Sequence, residues 1–268
     1  MIRRGLAAVL TAMLLAAVLA LPGSAAVLNV DGINYYQQFQ ARLEGGTTYV
    51  SLRMAANVLA PQAQVRWSGG AAWVEGDGVT VRAVPGDNYI QANDRALYVP
   101  KGVRLENGRV MVPIRAVAEA LGGRVTWSRR EGTTLYVGDG RPGEAPYTQE
   151  ELYWMSRIIS AESRGEPMEG KLAVGTVVLN RVASPQFPDS IYEVIFDDKW
   201  GIQFTPTANG AIYLEPTRES VLAAKLCLEG ARMAGESLYF LNPDTAANHW
   251  VMENREFVAT IGRHWFYR

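Results

Sequence analysis

Residues 148–167 read TQEELYWMSRIISAESRGEP. Thr148 followed three positions later by Glu151 is a capping box, in which each residue's side chain accepts from the other's backbone amide. Gln149 and Glu150 suit the positive end of the helix dipole. Leu152, Met155 and Ile159 then fall on one face with Ile158 beside them, and the same spacing carries the stripe to position 162. That position is Glu162, so a carboxylate lies on the apolar face at the end of a helix stopped by Gly165 and Pro167. Burial disfavours its anion, and so does the negative end of the dipole, so both raise its pKa. A carboxyl that keeps its proton near neutrality meets the condition for a general acid protonating a leaving glycosidic oxygen. The competing structural reading is a glutamate ion-paired at the helix end with Arg164 or Arg181.

Downstream, Leu172, Ala173, Val174, Val177, Val178, Leu179 and Val182 make 170–182 apolar nearly all round, which predicts a central buried helix. Asn180 and Arg181 stand at its polar end as a cap or as partners for a carboxylate. Residues 184–188 read as a loop. A third helix starts at the Thr217 cap after Pro216 and ends before Gly230. Thr205 to Thr207 and Asn209-Gly210 read as a turn-rich loop. Leu238 to Leu241 is a strand candidate closed by Asn242-Pro243, and the aromatic run His264 to Tyr267 is its expected pairing partner.

Upstream, the chain repeats itself. Tyr49 to Arg53 recurs as Met111 to Arg115, Ala56 and Leu59 as Ala118 and Leu121, Val65-Arg66-Trp67 as Val125-Thr126-Trp127, and Ala72 to Val74 as Leu135 to Val137. Each unit reads as strand, short helix, strand, turn, strand. Neither buries its apolar face alone, so the two are expected to share one core. Gly138 to Pro146 is dense in Gly and Pro and reads as a linker. These features predict an export signal over 1–26, a repeat domain over 27–139, a linker over 140–146 and a second domain over 147–268. The repeat region resembles the copper amine oxidase N-terminal-like domain, a module attached to exported bacterial enzymes. It contains no His and no Cys, so it lacks the usual copper ligands. Arg53 and Arg115 read as repeat-equivalent structural arginines, with binding of an anionic glycan as the alternative.

Arg3 and Arg4, the uncharged run Leu6 to Leu21, and the small residues after Pro22 form the export signal. The alternative is an uncleaved anchor, since the run approaches the ~17–20 residues that span a bilayer. Hydrophobic residues make up 48% and charged residues 20%, which is globular composition. The net charge of −1 and the absence of a basic block argue against a nucleic-acid partner. Cys227 is the single cysteine, so no internal disulfide forms. It stands late in the third helix, where the dipole and burial raise a thiol pKa, so a cysteine peptidase pairing it with His249 or His264 is disfavoured. Two His fifteen positions apart make no clear zinc motif, which disfavours an N-acetylmuramoyl-L-alanine amidase.

Glu162 to Pro167, Glu169-Gly170, Ala173 to Gly175 and Val178 to Val182 resemble the cell wall hydrolase family of the spore cortex-lytic enzymes SleB and CwlJ. Phe187-Pro188, Ile191 to Ile195, Gln203-Phe204, Asn209-Gly210, Tyr239 to Pro243, Trp250 and Ile261 to His264 agree in order. The family usually has Ala where this chain has Ser163. The resemblance implies an α+β catalytic domain related to lysozyme-like lytic transglycosylases, following the small β-rich repeat domain. It implies cleavage of the β-1,4 bond between N-acetylmuramic acid and N-acetylglucosamine in spore cortex or cell wall, with Glu162 as acid and then base. The muramic acid's own 6-hydroxyl completes such a reaction, so no second carboxylate is needed. A two-carboxylate glycosidase would draw its partner from Glu166, Asp189, Asp197 or Asp198. Substrate contacts are expected from Glu166, Gln203 and Asn242 as hydrogen-bonding groups, and from Phe204, Tyr239 and Trp250 as walls of the sugar groove. No metal and no cofactor are implied. The expected state is a monomer acting on peptidoglycan glycan strands, with any accessory envelope protein unassigned. The rival of another class is a non-catalytic peptidoglycan-binding protein.

Overall fold

The computed structural model describes residues 28–268 except 31–32, 36–38, 77, 129–131, 139–140, 200 and 247–248. The expected export signal therefore lies outside the described residues, as does Gly140 of the expected linker.

The first half is β-rich. Strands β1 (Leu28–Val30), β2 (Ile33–Asn34), β3 (Arg42–Glu44) and β4 (Thr47–Ser51) lead into helix α1 (Leu52–Leu59). Then β5 (Gln64–Ser68), β6 (Ala71–Gly76), β7 (Val79–Ala83), β8 (Tyr89–Ala92) and β9 (Arg95–Tyr98) form one antiparallel meander. Finally β10 (Arg104–Glu106) and β11 (Arg109–Pro113) lead into α2 (Ile114–Ala120), followed by β12 (Arg124–Ser128) and β13 (Gly132–Tyr136). The repeat units meet at β4 and β11, which pair antiparallel with Val50 opposite Val112, Met111 opposite Ser51 and Pro113 opposite Tyr49. Val50 and Val112 are each other's repeat equivalents, and the flanking pairs exchange places, as a local two-fold axis requires. Leu52, Ala56 and Leu59 of the first unit and Ile114, Val117 and Leu121 of the second join one buried cluster. Strands β7 to β9 belong to neither repeat, and Val79, Val81 and Ala83 alternate inward with the strand period.

The second half is α+β. It consists of α3 (Gln149–Ser163), α4 (Met168–Val182), α5 (Ile191–Phe196), α6 (Thr205–Asn209), a 3-10 turn (Ala211–Tyr213), α7 (Arg218–Leu228), β14 (Tyr239–Leu241), α8 (Trp250–Asn254), β15 (Phe257–Ile261) and β16 (His264–Tyr267). The segment expected as a loop at Thr205 to Thr207 is a short helix, with Pro206 in its first turn. The aromatic strand β16 is central in its sheet, flanked by β14 and β15. Helix α4 lies between two clusters. Leu172, Val174 and Val178 pack with α3, α5 and α7, while Ala173 and Val177 pack against Phe266 of β16. At Gly175 three helices converge, and an added Cβ would lie 2.7 Å from Cys227 Sγ on α7 and 2.9 Å from Ile159 Cδ1 on α3.

The two halves touch through the β8–β9 hairpin. Ala96 is buried in the second half's main cluster, with Tyr89 and Tyr98 packed against it. Arg95 donates from Nε and Nη2 to the Glu229 carboxylate at 2.7 and 2.8 Å, and from Nη1 to the Gly143 carbonyl at 3.1 Å. Lys225 donates to the Asp94 carbonyl at 2.5 Å.

Candidate active site

Helix α3 begins with the capping box: the Glu151 amide donates to Thr148 Oγ1 at 3.1 Å, and the Thr148 amide donates to Glu151 Oε2 at 2.7 Å. Met155, Ile158 and Ile159 anchor its inner face, and the same periodicity delivers Glu162 to the last turn. The turn is held from several sides. Ser163 donates to the Ile159 carbonyl at 2.5 Å, and the Thr217 amide donates to Ser160 Oγ at 3.2 Å. Lys171 of α4, 1% exposed, donates to the Glu166 and Arg164 carbonyls and pairs with Glu219 at 3.3 Å. A cation on these carbonyls satisfies groups the helix cannot bond internally and opposes the dipole's negative end. The dipole effect expected at Glu162 is thus answered by Lys171, a residue that sequence reasoning passed over.

Glu162 is half-buried. Burial pushes its carboxyl up to about 7, against a smaller opposing pull from Arg181. Among the described residues it makes no hydrogen bond and no ion pair. Arg164 turns away, donating to the Glu215 carbonyl at 3.0 Å.

Arg181 organises the neighbouring wall. Its Nε donates to the Leu238 carbonyl at 2.8 Å, and its guanidinium carbon lies 4.9, 5.0 and 5.6 Å from the ring centres of Phe187, Phe204 and Tyr239. Burial lowers its pKa to about 10. Tyr239 also carries Arg255, at 4.9 Å from its ring, and Arg255 in turn lies 4.7 Å from the ring of Trp250, which is largely exposed. Rings and guanidinium groups therefore run from Arg181, which acts on Glu162, outward to Trp250 at the surface.

The remaining expected site residues fall around this row or away from it. Phe204 is 2% exposed, so its ring backs the wall from within the core. Gln203 precedes it and donates to the Gly201 carbonyl at 2.9 Å. Asn242 follows β14 and accepts the Asp244 amide at 3.0 Å. Glu166 Oε2 accepts the Arg263 amide at 2.9 Å in the β15–β16 turn. Gly262 in that turn has φ +60, and a Cβ there would lie 1.9 Å from the same carboxylate oxygen. Asp197 acts electrostatically on Arg181 and caps the Lys199 amide at 3.1 Å. Cys227 is fully buried, donates to the Leu172 carbonyl at 3.5 Å, and has its thiol pushed up to about 12 by burial, which removes it as a nucleophile at physiological pH. In the first half, Arg53 donates to the Val65 carbonyl at 3.1 Å, a structural bond within its own repeat.

Residues 165–267 match the cell wall hydrolase family, and residues 29–136 match the copper amine oxidase N-terminal domain. The chain carries a cell wall hydrolase domain. The family match begins just past Glu162. The spore cortex-lytic enzyme of Oceanobacillus iheyensis is 42% identical to this domain over 123 residues, which are 45% of this chain and 42% of that protein. That of Bacillus subtilis is 38% identical over 123 residues, 45% of this chain and 38% of that protein. The chain thus spans less than half the length of these curated relatives. Among solved structures, the catalytic domain of the germination-specific lytic transglycosylase SleB from Bacillus anthracis is 37% identical and fully covered by 47% of this chain, with a TM-score of 0.43.

Proposed function

We propose that the cell wall hydrolase domain cleaves the β-1,4 bond between N-acetylmuramic acid and N-acetylglucosamine in peptidoglycan, as a lytic transglycosylase with Glu162 as its single acid and base. The observation that carries this reading is a half-buried carboxyl, free of ion pairs among the described residues, whose proton is held to about pH 7. Glu162 gives that proton to the bridging oxygen as the bond to the anomeric carbon breaks. The carboxylate then takes a proton from the 6-hydroxyl of the same muramic acid as that oxygen closes the anhydro ring. Tyr239 and Trp250 line the sugar groove, and Phe204 supports it from below. Gln203 and Asn242 hydrogen-bond acetamido groups. Glu166 spends one oxygen on the Arg263 amide, which leaves the other for a sugar hydroxyl and makes it an anchor of the groove's edge rather than a second acid.

This reading places the protein outside the cytoplasmic membrane, exported by residues 1–26 and acting as a monomer on spore cortex or cell wall. Among the described residues no helix is long and apolar enough to cross a membrane. Residues 27–139 form the accompanying module and 147–268 the catalytic unit. Mass spectrometry of muropeptides released from purified peptidoglycan tests the chemistry. Anhydro-muramic ends are expected. Reducing ends would replace the transglycosylase with a hydrolytic muramidase, and free stem peptides would overturn both.

A further inference from the structure

Arg181 is 4% exposed, and its Nη1 is buried without a hydrogen-bond partner among the described residues. A buried guanidinium ordinarily bonds a carboxylate, because an unpaired charge or donor away from water is costly. Here the Leu238 carbonyl takes Nε–H, and three ring faces carry part of the charge. Among the described residues Arg181 is the one charged group that acts on Glu162, yet the two are not bonded. Among the described residues Tyr239 on β14 and Asp197 past α5 also act on Arg181, and Arg255 lies 4.9 Å from the Tyr239 ring.

We propose that Arg181 is a positioning residue for Glu162: its unfilled Nη1 receives the carboxylate that Glu162 becomes once its proton has left, and releases it when the proton returns. The inference rests on the acid–base reading of Glu162. A permanent ion pair would keep Glu162 ionised, with no proton to give. A site with no cation would leave a half-buried anion uncompensated at the midpoint of the reaction. A guanidinium held by Leu238 and the rings, acting on Glu162 electrostatically but unbonded to it, avoids both. The proton goes to the bridging oxygen, the bonding pair leaves with that oxygen, and the attacking hydroxyl returns a proton to the Arg181-held carboxylate.

The test uses the full chain. Initial clearing rates of purified peptidoglycan are measured from pH 4 to 9 for wild type, Arg181→Met, Arg181→Gln and Arg181→Lys. The neutral variants are expected to move the alkaline limb up by about one pH unit and to lower the plateau rate at least ~10-fold, while the lysine variant keeps the limb near its wild-type position. Independently of these variants, the 15N guanidinium signals of Arg181 in wild type are expected to titrate with the same midpoint as the limb, and to become invariant in Glu162→Gln. A rate loss with an unmoved limb, or guanidinium signals that ignore the limb, overturns the proposal and leaves Arg181 a packing residue. If Glu162→Gln itself clears normally, it is the acid–base reading that fails, so the two failures are distinguishable.

Discussion

Glu162 and Arg181, in the last turns of α3 and α4, act on each other electrostatically but share no hydrogen bond among the described residues. An acid poised beside an unbonded cation has a proton to lose and somewhere to put the resulting charge. Clearing of peptidoglycan should therefore fall as pH rises through about 7, where Glu162 loses its proton. Glu162→Gln keeps the shape and removes the proton, and should lower the rate ~10²–10⁴-fold at every pH. Sedimentation with insoluble peptidoglycan should persist. Clearing by the glutamine variant at the wild-type rate would remove Glu162 from the chemistry, and a wild type that sediments but never clears would favour a binding protein.

The same carboxyl links stability to pH. Its folded value of about 7 lies above the ordinary 4.5, so below 4.5 both folded and unfolded chains hold the proton. Between 4.5 and 7 the unfolded chain releases it first, and this group's contribution to stability is lost as pH rises through that window. Above 7 the loss is complete. Urea unfolding of wild type and Glu162→Gln at pH 5 and pH 8 isolates the effect. The glutamine variant should gain relative to wild type at pH 8, and identical pH profiles for the two proteins would refute the assignment.

Lys171→Met tests the clamp on the end of α3. The methionine fills the volume but leaves the Arg164 and Glu166 carbonyls without their donor. A loss of roughly 1–3 kcal/mol is expected, read as a lowered thermal midpoint. Activity should fall further than stability alone explains, because the turn that aims Glu162 loosens. A methionine variant with unchanged midpoint would show that water satisfies those carbonyls equally well.

The contrast between Glu162 and Lys171 shows where sequence reading reached its limit. Glu162 was legible because its place follows from local spacing: a capping box at Thr148 and apolar residues at helical intervals carry the stripe to it. Val50 and Val112 were recognisable as repeat equivalents for the same reason, although their direct pairing across a local axis was not. Lys171 bonds backbone carbonyls, which leave no mark in a residue pattern, and a lysine beside an apolar stripe reads as a solvent-facing residue. The Glu166 carboxylate is bonded by the Arg263 amide, 97 positions away, a contact that no local spacing reveals. Strands β7 to β9 fall outside the repeat, so no internal duplication marks the hairpin that docks the first half on α7.

That docking rests on Arg95 and Glu229, whose side chains are 12% and 3% exposed. Arg95→Ala leaves the Glu229 carboxylate buried without its partner, a change that typically costs about 3–5 kcal/mol. The joint should loosen and residues 141–146 should be cut faster by a nonspecific protease. Adding Glu229→Gln removes the stranded charge and should recover part of the protection. If the single variant resists the protease as well as wild type, Ala96, Tyr89 and Tyr98 hold the joint by apolar packing alone.

Gly175 gives the sharpest test of how the three helices meet. Its Cα faces Cys227 of α7 and Ile159 of α3, and a methyl group there would sit 2.7 and 2.9 Å from their side-chain atoms. Helix propensity favours alanine over glycine by about 1 kcal/mol, so an uncrowded site would gain stability from Gly175→Ala. Crowding opposes this, because overpacking a dense core costs roughly 1–3 kcal/mol. Contacts this short decide the sign: Gly175→Ala should destabilise. Cys227→Ala removes the nearer of the two clashing atoms, so the double variant should be more stable than the sum of the single changes predicts. Thermal unfolding of the four proteins measures that coupling, and simple additivity would mean that α4 shifts to relieve the contact. In wild type the Cys227 thiol, buried and held up to about 12, should resist alkylation until the protein unfolds. Alkylation of the native protein as fast as of an exposed thiol would show that these helices part far more readily than their packing allows.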